Sequence, residues 1–490
     1  SFAIDPANNP KGVNVYNRNL PAPYVQSWSA GFQRQIGANT VMEVRYVGNH
    51  GVGLWEQADL NETNIFENGF LSEFKNAQSN LAICEADPTC STSPTFANTG
   101  LAGQVNVPIM TAAFTGAQTG SQTNGLFSNG TLVRDVNLGL AGSFANTLAK
   151  NGLTFICNLA GSNAFPAGEC PGTAAPGGAG FPKNFFITNP DATGGAFVLY
   201  NGGQSTYNAL QVDVRRRLAG GLQFNGSYSF SKALTDQFAS SASSFFQFRT
   251  LRNPGLDKGP APFDIRHSFK LESLYSLPFG PGHHLTTGNG FINRIIGGWG
   301  FNTINRWQSG RVEALSGGLG GTFNGNDGGV NITGMSLSQI QSQLGVIKTP
   351  CTSNGTTCVA PGEVFYFPTG LLSKPLANGG GRANSAVFSA CSTPGAFCGK
   401  PFIYGPAFFR ADWSVVKDTP ITEKVNFELR LNMLNAFNNA NFFYGGSAST
   451  NSRSSSIQSN SFGRITNAYQ DTGSDDFGGR ILEIVGRINF

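Results

Sequence analysis

"ALQVDVRRRLAGGLQFNGSYSFSKA", residues 209–233, is two alternating segments about a turn of small residues. In the first, Leu210, Val212, Val214 and Leu218 oppose Gln211, Asp213, Arg215 and Arg217. In the second, Leu222, Phe224, Tyr228 and Phe230 oppose Gln223, Asn225, Ser227, Ser229 and Ser231. A period of two marks a strand with one apolar and one polar face. The "AGG" between them is a tight hairpin turn. The same pattern recurs, so that nine strands are expected near 24–36, 40–54, 206–218, 222–234, 263–277, 298–312, 408–418, 424–437 and 479–490. No segment reads as a long helix with caps.

The connections sort themselves by length. Strands one and two are joined by "GAN", three and four by "AGG", seven and eight by "DTPITE", and five and six by the longer "PFGPGHHLTTGNGFINRIIG". The alternate connections are long: 55–205, 235–262, 313–407 and 438–478. One end of the sheet therefore carries tight turns and the other carries large loops. A sandwich or propeller has no reason to sort its loops this way, whereas a transmembrane β-barrel has short periplasmic turns and long extracellular loops.

Composition agrees. Charged residues are 12% of the 490, glycines number 64, and the net charge is +4. Typical soluble domains carry about 25% charged residues. So small and dispersed a charge excludes a nucleic-acid binder, and Arg215-Arg216-Arg217 reads as a turn or interface feature. No apolar run reaches the ~18–20 residues of a transmembrane helix. The sequence opens on Ser1 without a signal peptide, as expected of a processed or truncated product.

Eight cysteines fall in four close pairs: Cys84/Cys90, Cys157/Cys170, Cys351/Cys358 and Cys391/Cys398. All lie in the long connections. Zinc is the rival reading, but no pair has the two-residue gap or nearby histidine that zinc sites favour. Local loop disulfides are expected, and they require an oxidising compartment.

Three features favour a barrel over a sandwich. Strands of about 11 residues, tilted ~45°, cover the roughly 25 Å of an outer-membrane apolar band. Trp28, Tyr46, Tyr228, Tyr275, Trp299 and Trp307 read as aromatic girdles. The inward row is rich in polar groups, including Glu43/Arg45 and Arg266/Lys270/Glu272. A small packed barrel could not bury that row, so a wide one holding water or a plug is expected. The expected fold is thus all-β: a transmembrane antiparallel barrel in the outer membrane, seen in part as nine to ten strands. Its last strand, "RILEIVGRINF" (480–490), places Leu482, Ile484, Ile488 and Phe490 on one face. An alternating terminal strand that ends on an outward aromatic resembles the signal read by the barrel-assembly machinery.

Several stretches together resemble the C-terminal barrel half of TonB-dependent receptors, in particular the Oar-like branch. They are "YVQSWSAGFQRQIGANTVMEVRYVGNHG", "YNALQVDVRRRLAGGLQFNGSYSFSKA", "FDIRHSFKLESLYSLPFG", "GGWGFNTINRWQSGRV", "ELRLNMLNAFNNANF" and "RILEIVGRINF". The resemblance implies a 22-stranded barrel, filled by a plug and energised through the TonB complex. Nine strands are too few for that barrel and an odd count does not close. No plug, TonB-contact segment or N-terminal carboxypeptidase-regulatory-like domain is read in the sequence. The whole of 1–490 is therefore expected to be a C-terminal portion of such a barrel domain.

Catalytic chemistry finds little support. The histidines are His50, His267, His283 and His284. The last two could form a metal pair, but a periplasmic link is the plainer reading. "DTGSDDFGG", with Asp471, Asp475 and Asp476, lacks EF-hand spacing, and "NGNDGG" around Asp327 reads as a turn. No phosphate-cradling loop and no supported Ser/His/acid arrangement appears. The expectation is a non-enzyme without cofactor: TonB-dependent transport of a large, unidentified ligand, with the stapled loops as its ligand-facing surface. The alternative is an adhesin-like or porin-type barrel without energy coupling, and a soluble glycan-binding β-protein is third.

Overall fold

The computed structural model describes residues 12–150, 153–236, 248–280, 282–283, 285–318, 320–348, 364–372, 384–444, 455–465, 467–468 and 478–490. Nine long strands run through it: β1 (Tyr24–Ile36), β2 (Thr40–Asp59), β3 (Ala196–Ala219), β4 (Leu222–Thr235), β5 (His267–Ser276), β6 (Trp299–Gln308), β7 (Phe408–Pro420), β8 (Asn426–Leu434) and β9 (Ile481–Asn489). They form one sheet in chain order, each antiparallel to the next. Two short strands complete the eleven. Val13–Tyr16 lies parallel to the start of β3, and Gly259–Pro260 pairs with the end of β4. Among the described residues β1 and β9 are unpaired edges, so the sheet is open and does not close into a barrel.

Register carries the alternation across the whole sheet. Val44 faces Val212, which faces Tyr228, which faces Phe269, which faces Trp307 and then Phe409. The same face continues through Trp413 and Met433 to Leu482. All six girdle aromatics lie on this face. The other face holds Glu43, Arg45, Asp213, Asn225, Lys270, Glu272, Arg306, Arg410, Asp412, Glu428, Arg430 and Glu483. There Arg45 pairs with Glu43, Arg410 with Asp412 and Arg430 with Glu428, each two residues apart along one strand. A one-residue slip would exchange the two faces entirely, so the apolar/polar alternation itself specifies the register.

A polar cluster interrupts the apolar face in its β5–β7 part. Ser273 and Thr303 share a hydrogen bond of 2.9 Å, Asn305 donates to Thr303 at 3.1 Å, and the Trp413 indole donates to Asn305 at 3.2 Å. These groups satisfy one another. On the same face Trp28 lies across Gly48, where any Cβ would fall within 2.2 Å of the indole nitrogen. The glycine there serves a close aromatic approach.

Strand boundaries differ from the sequence expectation, most at the β2–β3 hairpin. β2 runs on to Asp59 and β3 starts at Ala196, so this hairpin rises above its neighbours. Register shifts at Val52/Leu54 and Leu54/Glu56, with Gly53 at φ 63°, carry it past the point where strict alternation stops. β8 ends at Leu434 because Asn435 adopts φ 47°.

The sequence shows no long helical period with caps, yet the long connections contain helices. The connection from β2 to β3 folds into α1 (Phe70–Ala86), α2 (Pro108–Thr115), α3 (Gly130–Asn137), α4 (Ala141–Lys150) and α5 (Leu153–Ala160). In α1 the buried positions are Phe70, Glu73, Phe74, Ala77, Asn80, Leu81 and Cys84. That spacing is helical, but two of its seven members are polar, and Gly69 supplies no side-chain cap. Hydropathy alone therefore hid it. The link between β5 and β6 holds a further short helix, α6 (Gly290–Ile296).

Candidate functional site

At the long-connection end the loops form a folded cap. One core gathers Phe70, Phe74, Phe96, Phe127, Phe144 and Phe186 from the β2–β3 connection. A second gathers Phe367, Phe388, Phe462 and Tyr444 from the β6–β7 and β8–β9 connections. Edge-to-face rings dominate the first, as between Phe70 and Phe186 at 5.1 Å. Glu73 stands inside it, accepting from Ile109 N at 2.8 Å and Met110 N at 2.7 Å in the first turn of α2. Burial pushes its carboxyl up to about 7, against the pull of those two amides.

Three connections meet around a cavity of about 300 Å³ lined by Asp59, Glu62, Lys150, Arg249, Asn324 and Asn326 among others. The Glu62 carboxylate accepts from Leu251 N at 2.7 Å and from Asn324 Nδ2 at 2.8 Å, so it ties all three together. Asn326 Nδ2 donates to the Arg249 carbonyl at 2.8 Å. Arg249 itself pairs with the buried Asp257 and stacks over Phe397 at 4.3 Å. Nearby, Arg252 pairs with Glu67 and stacks over Phe66 at 4.7 Å, and Phe66 meets Phe323 at 4.7 Å. Planar guanidinium groups suit such combined pairing and stacking. The cavity presents carboxylates, a lysine and side-chain amides together, a lining able to hold a polar ligand by hydrogen bonds and charge.

Close to this junction lies a stranger group. Glu56, on the part of β2 above the Gly53 irregularity, is fully buried, and neither carboxylate oxygen has a hydrogen-bond partner. Burial first, then the charges of Asp236 and Asp257, push its pKa up to about 9. Tyr200, opposite it in register, is raised to about 12 by burial and then by Glu56 and Asp236. Burial also raises Asp236, although Gln204 N donates to it at 2.7 Å.

The residues singled out in the sequence are scattered over this frame. Cys84 is bonded to Cys90 with Cα atoms 5.0 Å apart, Cys157 to Cys170 at 5.9 Å, and Cys391 to Cys398 at 5.6 Å. Cys351 and Cys358 lie outside the described residues, as do His284, Asp471, Asp475 and Asp476. His50 Nδ1 is 3.1 Å from the Ser205 carbonyl. His267 lies on the apolar face, 2.8 Å from the Tyr228 hydroxyl and against the rings of Phe230 and Trp307. His50 and His267 thus have separate partners. Asp327 closes a turn by accepting from Gly317 N and Gly329 N. Leu482, Ile484, Ile488 and Phe490 are all exposed, Phe490 at 98%. Among the described residues, no three His, Cys, Asp or Glu side chains converge as metal ligands. The cavity residues and Glu56 escaped sequence reading, because nothing local joins positions 59, 62, 150, 249 and 324.

The model of the outer membrane beta barrel domain family matches residues 2–483, and the chain belongs to that family, whose place is the cell outer membrane. No curated protein matches the chain. Among solved structures, the outer membrane transporter YddB from Escherichia coli aligns with TM-score 0.37 and 8% identity, over 98% of this chain and 34% of that one. The pyoverdine outer membrane receptor FpvA from Pseudomonas aeruginosa aligns with TM-score 0.29 and 7% identity, over 90% and 29%. The FrpB iron transporter from Neisseria meningitidis gives 0.29 and 9%, over 98% and 33%. The chain thus spans about a third of the length of these structures.

Proposed function

We propose, with the outer-membrane barrel domain as premise, that this chain is the C-terminal portion of a plugged, TonB-coupled barrel of the Oar-like branch. It moves an unidentified, large ligand across the outer membrane, and the cap is the ligand-facing surface. The observation that carries this reading is the convergence of three long connections on one polar-lined cavity at the loop end of the sheet. A simple pore has no need of such a built cap. In this reading the two sheet edges pair with further strands, since lipid tolerates no unsatisfied row of N–H and C=O groups. The apolar row of β9, Leu482, Ile484 and Ile488, with Phe490 beyond it, is the surface we assign to the barrel-assembly machinery.

Conductance tests the reading. The full-length parent in a planar bilayer is expected to be electrically silent at rest, because a plug fills the lumen. A steady ohmic current would overturn it in favour of a porin-type barrel. An adhesin-like barrel would be silent too, but cells lacking TonB would then retain all function of the protein.

The four cysteine pairs belong to the same proposal as loop staples. Closing loops this short removes only about 2–3 kcal/mol of denatured-state freedom each. Their effect is expected on the order of the cap, with the sheet unaffected. Non-reducing peptide mapping should recover Cys84–Cys90, Cys157–Cys170, Cys351–Cys358 and Cys391–Cys398. Free thiols, or pairing between distant loops, would sink this assignment.

A further inference from the structure

We infer that α6, in the β5–β6 link at the short-turn end, is an interfacial anchor that lies in the periplasmic leaflet of the membrane. Its occupant is phospholipid. Phe291, Ile292 and Ile295 are 73%, 42% and 54% exposed, a cluster of large apolar side chains with no protein cover. The helix is otherwise well made. Asn289 accepts at its N-cap from Phe291 N at 2.9 Å and Ile292 N at 3.3 Å. Asn293 is buried, accepting from Thr287 N at 2.8 Å and donating to the Thr287 carbonyl at 2.6 Å. Asn293 is thus spent inward, and Phe291, Ile292 and Ile295 are left exposed beside the exposed Arg294.

The side of the sheet on which α6 sits decides the partner. Trp299 and Lys417 face each other in register on the apolar face, at its short-turn rim. The Trp299 indole donates to the Ile295 carbonyl at 2.9 Å. Lys417 donates to the Arg294 carbonyl at 2.6 Å and to the Gly297 carbonyl, with its ammonium 5.5 Å from the Trp299 ring centre. The last carbonyls of α6 are therefore pinned to the lipid-facing row, with a cation at the helix C-terminus where it is most favourable. The exposed cluster continues an apolar surface that already meets lipid. Tryptophan and lysine are side chains suited to the headgroup level. Anchoring strands hold α6 at both ends, so seven residues suffice where a free amphipathic helix would need more length.

Depth measurement tests this. Nitroxides are placed on cysteines replacing Phe291 and Ile295 in the intact chain, in phospholipid bilayers under non-reducing conditions. The unsubstituted chain serves as the labelling blank. Thr422, in the β7–β8 turn at the same end, gives the aqueous reference, and Leu271, on the apolar face of β5, gives the lipid reference. The labels at 291 and 295 are expected to collide with oxygen several-fold more than with a water-soluble nickel chelate, about 5–10 Å below the phosphates. Values matching Thr422 would overturn the proposal in favour of a solvent-exposed helix. Shielding from both reagents would overturn it in favour of a protein cover. A Leu271 label as wet as Thr422 would overturn the membrane placement of the apolar face, and α6 with it.

Discussion

Arginine in place of Val214 costs about 2–4 kcal/mol in a membrane-folding titration, whereas arginine in place of Ser227 changes stability by about 0.5 kcal/mol or less. Both positions lie on the central β3–β4 hairpin, several residues above its tight turn. Val214 faces Met42 on one side and Gly226 on the other, within the apolar row. Ser227 lies between Asp213 and Lys270, within the polar row. A guanidinium at 214 must shed water near the middle of the bilayer or drag its neighbours toward an interface. At 227 it meets a carboxylate in a lumen that holds water or polar protein. The contrast isolates the face, since depth, chain segment and introduced charge are nearly the same. Equal losses at the two sites would show that the apolar row does not meet lipid, and would return the sheet to a soluble sandwich.

That contrast was legible in the sequence because a strand writes its two faces at a period of two, and each strand here is long enough to write it several times. The sorting of short and long connections was legible for the same reason, since both follow from where strands start and stop. The cap was not. α1 buries Glu73 and Asn80 among its apolar positions, and each is satisfied by backbone groups that lie 16 to 37 residues away. A hydropathy pattern cannot anticipate partners at such separations. Glu62, Arg249 and Asn324 read as ordinary loop polarity, and only folding brings them to one cavity. Glu56 was harder still, because alternation had stopped before it and the strand had not.

Glu56 gives the second large effect, as a dependence of stability on pH. Its carboxyl is buried with no hydrogen-bond partner, and Asp236 and Asp257 add their charges to the penalty. A folded-state pKa of about 9, against 4.5 for the ordinary group, means that folding favours the protonated acid. The contribution is fully present below pH ~4.5 and is lost as pH rises toward ~9, at about 1.4 kcal/mol for each unit between them. The direction is opposite to that of a salt-bridged carboxylate, whose stability disappears as pH falls. Glu56→Gln keeps the shape and removes the titration. The native chain in micelles is therefore expected to lose on the order of 3–4 kcal/mol of unfolding free energy between pH 6 and pH 8.5. The glutamine variant should lose much less and should be the more stable of the two at the upper end. Hydrogen exchange should locate the loosening in the β2–β3 hairpin above Gly53, with the lower sheet still protected. Parallel pH profiles for the two proteins would mean that a cation or bound water already satisfies Glu56 as a carboxylate, and the buried acid would then be a ligand in place of a neutral group.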